Sequence, residues 1–451
     1  MIADCLGNPV SCRGAALDAV NDFTDGFLRY HPKATNVLGV IEGLDDCLPH
    51  VFAGYLWMFL QRPEAPERAR PHALAAAAAA PRAHARERAH LGVLQAWMAG
   101  DWPEMIRRAE AITAEWPHDL VALKLVQTQY LNLGDSPGIL RSALRLLPAN
   151  AGNAHVHGMA AFGFEQCHLL DEARAAAEAA LARDETEPWA HHALAHVHLT
   201  RGEIDAGRRF MAGVSGHWEG LNSFMYTHNW WHTALFDISA GDGAAALAIH
   251  DAHCWGIAPD YSQDQVGAVS LLARLDFAGI DTGGRWQALR PWLETRGADV
   301  ESAFLTLQYL YGLGRAGSPV ADDLMEAVRR RAAGAPPWAA EMWRETALPA
   351  CEGVLAAARG AHAEAIRLLG PALPTLWKVG GSHAQRDLFE QIFLDSLMRE
   401  SAWVSAQQLL EARRAFDPSG VPLNRMLAEV YGRLALPDQQ AAAAARALRV
   451  A

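Results

Sequence analysis

The sequence predicts an all-α chain, a linear array of helical hairpins, and three observations predict it. Turn residues recur at a fixed distance: Gly100-Asp101-Trp102, Gly134-Asp135-Ser136, His168-Leu169-Leu170 and Gly202-Glu203-Ile204 each stand 34 residues after the one before. A period of that size marks a repeat architecture. Between the turns, apolar residues fall at helical spacing, as in the stripe Ile106, Ala109, Ile112 and Thr113. Alternating runs of β-branched and aromatic residues, the mark of strands, are missing.

Taken in order, the N-terminal segment 1–85 predicts helices over Gly14 to Tyr30 and Val51 to Leu60, with a polar, Pro-rich joint from Arg62 to Pro71. The repeat array proper spans 86–330. In it, Trp116-Pro117 stops one helix, and Pro148 and Pro188 punctuate later units, because proline cannot continue a preceding helix but opens the next. Further turns follow near Gly241-Asp242 and Gly279, after 39 and 38 residues. Gly334-Ala335-Pro336-Pro337 predicts a second joint. Over 331–451, Arg359-Gly360 and Asp417-Pro418-Ser419-Gly420 separate more helical pairs, and helices at Ser405 to Phe416 and Gln439 to Val450 close the array. A single hairpin cannot bury its apolar faces, so stacking of at least three supplies the core.

Composition narrows the class. The chain has 451 residues, of which 51% are hydrophobic and 20% charged, which excludes intrinsic disorder. A net charge of -12 argues against a nucleic-acid partner, since phosphate binding requires a basic surface. The longest clearly apolar run, Val51 to Leu60, has 10 residues, while a bilayer requires about 20. No secretory leader is legible either, so the expectation is a soluble cytoplasmic protein without a membrane partner. Six cysteines, none in CxxC spacing, predict reduced thiols and no zinc ribbon.

The 34-residue period of helix, Gly-containing turn, helix and closing proline resembles the tetratricopeptide repeat. That resemblance implies an α-α superhelix with a concave groove. His228-Asn229-Trp230-Trp231-His232 and Gly380-Gly381-Ser382-His383-Ala384-Gln385-Arg386-Asp387 resemble, more closely, the tetratricopeptide repeat protein 38 family. Similar stretches are Gly158 to Glu165, Trp189-Ala190-His191-His192, Ser270 to Leu275 and Gly284-Arg285-Trp286, and together they cover roughly residues 86 to 395. The resemblance implies a helical-repeat fold and an intracellular location, and it supplies no reaction.

Histidine is the outstanding residue type: 20 in the chain, 10 of them from His155 to His232. In the tetratricopeptide register the first helix of each hairpin lines the groove. That register points His90, Trp97, Lys124, His155, Phe162, Glu165, Trp189, His192, His196, His228 and Trp231 to one surface. Helical geometry supports the same stripes, because residues three, four and seven apart share a face. A concave, partly apolar wall with converging polar groups describes a small-ligand pocket. The expected ligand-binding set is His90, Lys124, His155, His157, Trp189, His228, Trp231, Arg274 and Arg386.

The pairs His192/His196 and His228/His232 have the four-residue spacing that puts two imidazoles on one helix face, so these four are the candidate ligands for a divalent transition metal. Metal-free acid–base chemistry is the competing expectation. There His383 and Asp387, with Glu165, act catalytically, and Arg386 binds a substrate carboxylate. Each such residue also has a bland reading as a packed or solvated side chain. No GxSxG, HExxH or phosphate-cradling loop is present.

Two functions compete. In the first, a small polar or anionic molecule binds in the groove, with or without a metal and with or without a reaction on it. In the second, the array is a scaffold whose groove takes a partner protein's peptide, with tryptophans as anchors. Bunching of the polar groups within a few repeats favours the small molecule.

Overall fold

The computed structural model describes residues 2–448. Among them the architecture is helical throughout, apart from one antiparallel two-residue ladder in which Ile2–Ala3 pairs with Pro9–Val10, Ile2 opposite Val10. Two compact units make up the chain: Met1–Ala193 with His217–Met225, and Leu194–Gly216 with Tyr226–Ala451.

The first unit begins with helix Ala15–Arg29 and continues as the hairpins Cys47–Met58/Ala65–Ala79, Ala85–Met98/Trp102–Glu115, Leu120–Asn132/Ser136–Leu146 and Ala154–Gln166/Leu170–Leu181. The turn motif has a clear physical basis. Gly100 and Gly134 adopt left-handed φ of 70° and 71°, which glycine does without a Cβ penalty. The Asp that follows each accepts a hydrogen bond from a backbone N–H of the next helix, Asp101 from Glu104 and Asp135 from Gly138. Glycine ends one helix and aspartate starts the other. His168 holds the same left-handed position at φ 58° without glycine's freedom.

One expectation is corrected here. The Pro-rich joint Arg62 to Pro71 shrinks to a short turn with Gln61 at φ 50°, and Pro71 lies inside helix Ala65–Ala79. Ala65, Ala69, Ala73, Ala76 and Ala79 form a buried stripe along this helix, and its packing outweighs the one hydrogen bond that a proline removes. A single core runs from Val10 through Phe52 and Leu94 to Phe162, so residues on both sides of position 85 share it.

The second unit holds helix Ile204–Val214, most of Ser223–Ser239, and then the hairpins Ser262–Phe277/Arg285–Glu294, Ala303–Arg315/Val320–Ala333, Leu348–Ala358/His362–Ala372, His383–Arg399/Trp403–Arg414 and Val421–Arg433/Pro437–Leu448. The two expected closing helices, Ser405 to Phe416 and Gln439 to Val450, correspond to Trp403–Arg414 and Pro437–Leu448. Val450, the expected end of the last, lies outside the described residues. Left-handed turn residues continue through Gly202, Gly241, Gly279, Gly317, Gly360, Ser401 and Ala435. Gly334 ends helix Val320–Ala333 at the expected joint. The core of this unit extends from Trp231 to Ile392 without a break at position 330.

This unit folds back on itself. A Cβ at Gly202 would stand 2.8 Å from the Phe416 carbonyl oxygen, and one at Gly241 would stand 2.9 Å from Val421. Ser239 donates to the Asp417 carboxylate at 2.8 Å. The C-terminal repeats therefore contact the turns at which the unit begins. No helix among the described residues is long and apolar enough to cross a membrane.

Candidate metal centre

Four histidines of the second unit, carried by three helices, make up the site. Pro188 opens helix Pro188–Thr200, on which His196 lies, and His228 and His232 share one face of Ser223–Ser239. His383 is the first residue of His383–Arg399. The start of this last helix is set by its sequence. Ser382 accepts from the Gln385 N–H at 3.3 Å while Gln385 Oε1 accepts from the Ser382 N–H at 2.9 Å, a reciprocal cap. Before it, Gly380 and Gly381 have φ of 88° and 78°, and a Cβ on Gly381 would stand 2.6 Å from the Phe304 ring. Only glycine fits there.

Fold-back of the unit brings these helices together. The rings of His196 and His232 have centroids 4.5 Å apart, those of His228 and His232 4.9 Å, and those of His196 and His383 5.5 Å. One ring nitrogen from each of His196, His228 and His232 lies within 4.8 Å of the others. Zinc bound tetrahedrally at its usual nitrogen distance separates its ligand atoms by about 3.4 Å, so small ring rotations close the gap. His196 and His232 are fully buried. Burial, with His196 adding to it, holds the His228 imidazole far below its ordinary pKa, at about 3. Such an imidazole is neutral, as a metal ligand must be.

Trp231 lies beside this cluster, stacked on His228 at 5.4 Å and edge-on to His232 at 4.8 Å. The Arg274 guanidinium sits over the Trp231 ring at 5.2 Å. Arg274 donates to Ser270 Oγ at 2.5 Å and to the Ala384 carbonyl at 2.8 Å, and it faces Asp387 at 3.8 Å. Burial outweighs that carboxylate and lowers Arg274 to about 10.

Asp387 is fully committed. It accepts from Arg413 and from Gln391, both at 2.5 Å. Burial alone would raise its pKa, and Arg413 and Arg274 hold it at about 2. The arrangement describes a structural ion pair, with Arg413 also bound to Glu390 at 2.6 Å. Arg386 bends back to the carbonyls of Gly380 and Gly381, and burial lowers it to about 10.

The other sequence-derived residues lie in the first unit, mostly in packed networks. His90 is wholly buried, with Nε2 2.7 Å from Asp119 and Nδ1 3.1 Å from the Tyr55 hydroxyl. Lys124 donates to the Phe27 and Leu28 carbonyls, in the last turn of helix Ala15–Arg29, and its ammonium sits over the Tyr30 ring at 3.3 Å. Burial holds its pKa well below the ordinary value. His155 pairs with Glu187 at 2.5 Å, and His157 Nε2 bonds the Ala151 carbonyl at 2.8 Å. Glu165 is buried and accepts from Gln166 at 2.7 Å. Trp189 stacks on Tyr30 and on His192, at 5.5 and 4.4 Å, and packs against Phe162 at 4.8 Å. The groove register therefore selects buried positions: Trp97, Phe162, His192 and Trp231 are each at most 5% exposed.

Sequence reasoning passed over Asn229 and Arg413. Asn229 stands inside the quoted His228–His232 string, and a buried amide between two candidate ligands was the available signal. Arg413 had none, since its partners are set by the packing of two helices.

No protein-family model matches the chain. Among solved structures it is similar to the human IFIT1 dimer with m7Gppp-AAAA, at 13% identity over 96% of this chain and 99% of that one, with a TM-score of 0.40. It is also similar to yeast Tom70, at 11% identity over 80% and 90% of the two chains and a TM-score of 0.30. For the P58(IPK) TPR domain the values are 13%, 81% and 92%, and 0.22. The stacked hairpins and their Gly-Asp turns make the chain an all-α helical-repeat protein.

Proposed function

We propose that this protein binds a divalent transition metal on His196, His228 and His232 and uses the ion to hold a small polar molecule, with His383 as the adjoining acid–base group. The observation that carries the reading is the meeting of three imidazoles, from two helices, within 4.8 Å. Nitrogen ligands and a buried, partly apolar surround suit zinc first. Three protein ligands leave a coordination position for substrate or water, as in catalytic rather than structural zinc sites. His192, the fourth histidine of the expected set, belongs to the first unit, and the ligands proposed are the three histidines of the second.

Burial of Trp97, Trp231 and His90 supports the small-molecule reading over a peptide scaffold, because hot-spot side chains must reach a partner. The net charge of -12 supports a partner other than nucleic acid. Six free cysteines suit a reducing compartment such as the cytoplasm. The closer affinity we propose is with the tetratricopeptide repeat protein 38 family, on the strings quoted above.

Metal analysis of purified protein tests the reading. About one zinc per chain in the wild type, lost in His228→Ala and His232→Ala, is the expected result. A wild type that retains no metal after equilibration with zinc and desalting overturns it.

A further inference from the structure

Three buried polar atoms flank the proposed centre without a hydrogen-bond partner among the described residues: Oδ1 and Nδ2 of Asn229, and Nε1 of Trp231. Asn229 is 0% exposed and Trp231 2%. Buried amides and indoles are nearly always satisfied, because their desolvation is otherwise uncompensated. Their placement is specific. At about 100° per residue, taking His228 as origin, Trp231 lies about 60° to one side, and His232 and Asn229 lie about 40° and 100° to the other. The two ligand imidazoles thus occupy the middle of a helical arc whose two edges are the unsatisfied groups.

Among the second unit's own residues, the charge around this arc points one way. Imidazole ligands bring no negative charge to a divalent ion, and Arg274 adds a buried positive charge over the Trp231 ring. Asp387, the acid facing Arg274, is already bound by Arg413 and Gln391. An acceptor with its own negative charge is the guest that both the metal and the two N–H donors favour.

We infer that the metal centre takes a small oxyanion of the carboxylate type as its exogenous ligand, with one oxygen on the ion and the other accepting from the Trp231 indole N–H and the Asn229 amide N–H. This inference rests on the metal reading above. Asn229 and Trp231 are positioning residues, and their removal changes anion affinity without removing the metal.

The test is anion titration of the full chain loaded with cobalt(II), read by its visible absorption bands, with acetate and inorganic phosphate as separate probes. The expected result is a saturable spectral shift with acetate in the wild type. In Trp231→Phe and Asn229→Leu the acetate affinity falls at least about tenfold while cobalt stoichiometry stays at the wild-type level. A shift with phosphate but not acetate overturns the carboxylate assignment. A cobalt spectrum that neither anion changes, or variants that bind acetate as the wild type does, overturn the inference while the metal reading stands. A chain that takes up no cobalt overturns both. Should Asn229→Leu fail to fold, Trp231→Phe decides alone, with its cobalt stoichiometry as the control for the smaller ring's lost packing.

Discussion

The imidazoles of His196 and His232, carried by two different helices, have ring centroids 4.5 Å apart. His383 reaches the same His196 ring from a third helix, with centroids 5.5 Å apart. These contacts separate ligand from neighbour. His196→Ala is expected to reduce bound zinc below about a tenth of the wild-type content, because a two-imidazole site loses most of its affinity. His383→Ala is expected to retain it. Metal content of both variants, measured after desalting, checks the prediction; loss of metal in His383→Ala would make that residue a ligand.

In the first unit Asp119 is the centre of a buried network. It accepts from Arg86 at 2.8 Å and lies 2.7 Å from His90, while Arg86 also binds Asp4 at 2.8 Å. Burial alone would raise the Asp119 pKa, and His90 and Arg86 instead hold it far below the ordinary value. A carboxylate with a lowered folded pKa contributes stability that is present above its unfolded pKa, near 3.8, and is lost as pH falls through the folded value. Asp119→Asn is expected to destabilise by about 3–5 kcal/mol at pH 7, since it takes the carboxylate away from the buried Arg86 guanidinium and from His90. Urea unfolding at several pH values checks it. The gap between wild type and variant should narrow below about pH 4, and a gap that widens there contradicts the sign.

Gly163 permits a backbone contact between helices. A Cβ there would stand 2.7 Å from the Leu140 Cα and 3.0 Å from its N, atoms that cannot swing aside. Gly163→Ala is therefore expected to destabilise by about 1–3 kcal/mol despite alanine's better helix propensity. Chemical denaturation with an unchanged slope would confirm it, and a stabilised variant would refute it.

Ala435 ends helix Val421–Arg433 in the left-handed region, at φ 57°, on an exposed turn. Its Cβ is the source of strain in that conformation. Ala435→Gly is expected to stabilise by about 0.5–1 kcal/mol, the reverse of the usual effect of introducing glycine. Thermal melts of the two proteins decide, and a lower midpoint for the variant would contradict the argument.

Most of the fold was legible because its signals are local. The Gly-Asp turns at Gly100, Gly134 and Gly241 couple a left-handed helix end to a side-chain cap, and both requirements are written in two adjacent residues. Where the turn lacks that pair the reading weakened: Gln61, Ser401 and Ala435 occupy the same backbone conformation with nothing in their chemistry to announce it. Pro71 misled for a related reason, since a proline's local preference is overridden by a buried alanine stripe that only packing reveals.

By itself, then, the sequence determined the helical-hairpin class, the 34-residue repeat and the pairing of His228 with His232, all consequences of spacing along one helix or one turn. Tertiary structure decided which histidines meet. His196 and His383 are 187 residues apart, and they approach only because the second unit folds back until its last repeats touch the turns at Gly202 and Gly241. Packing likewise gave Asp387 to Arg413 and His90 to Asp119, because a side chain's partner depends on which helices stack, and stacking is set by the summed burial of many faces rather than by any short motif.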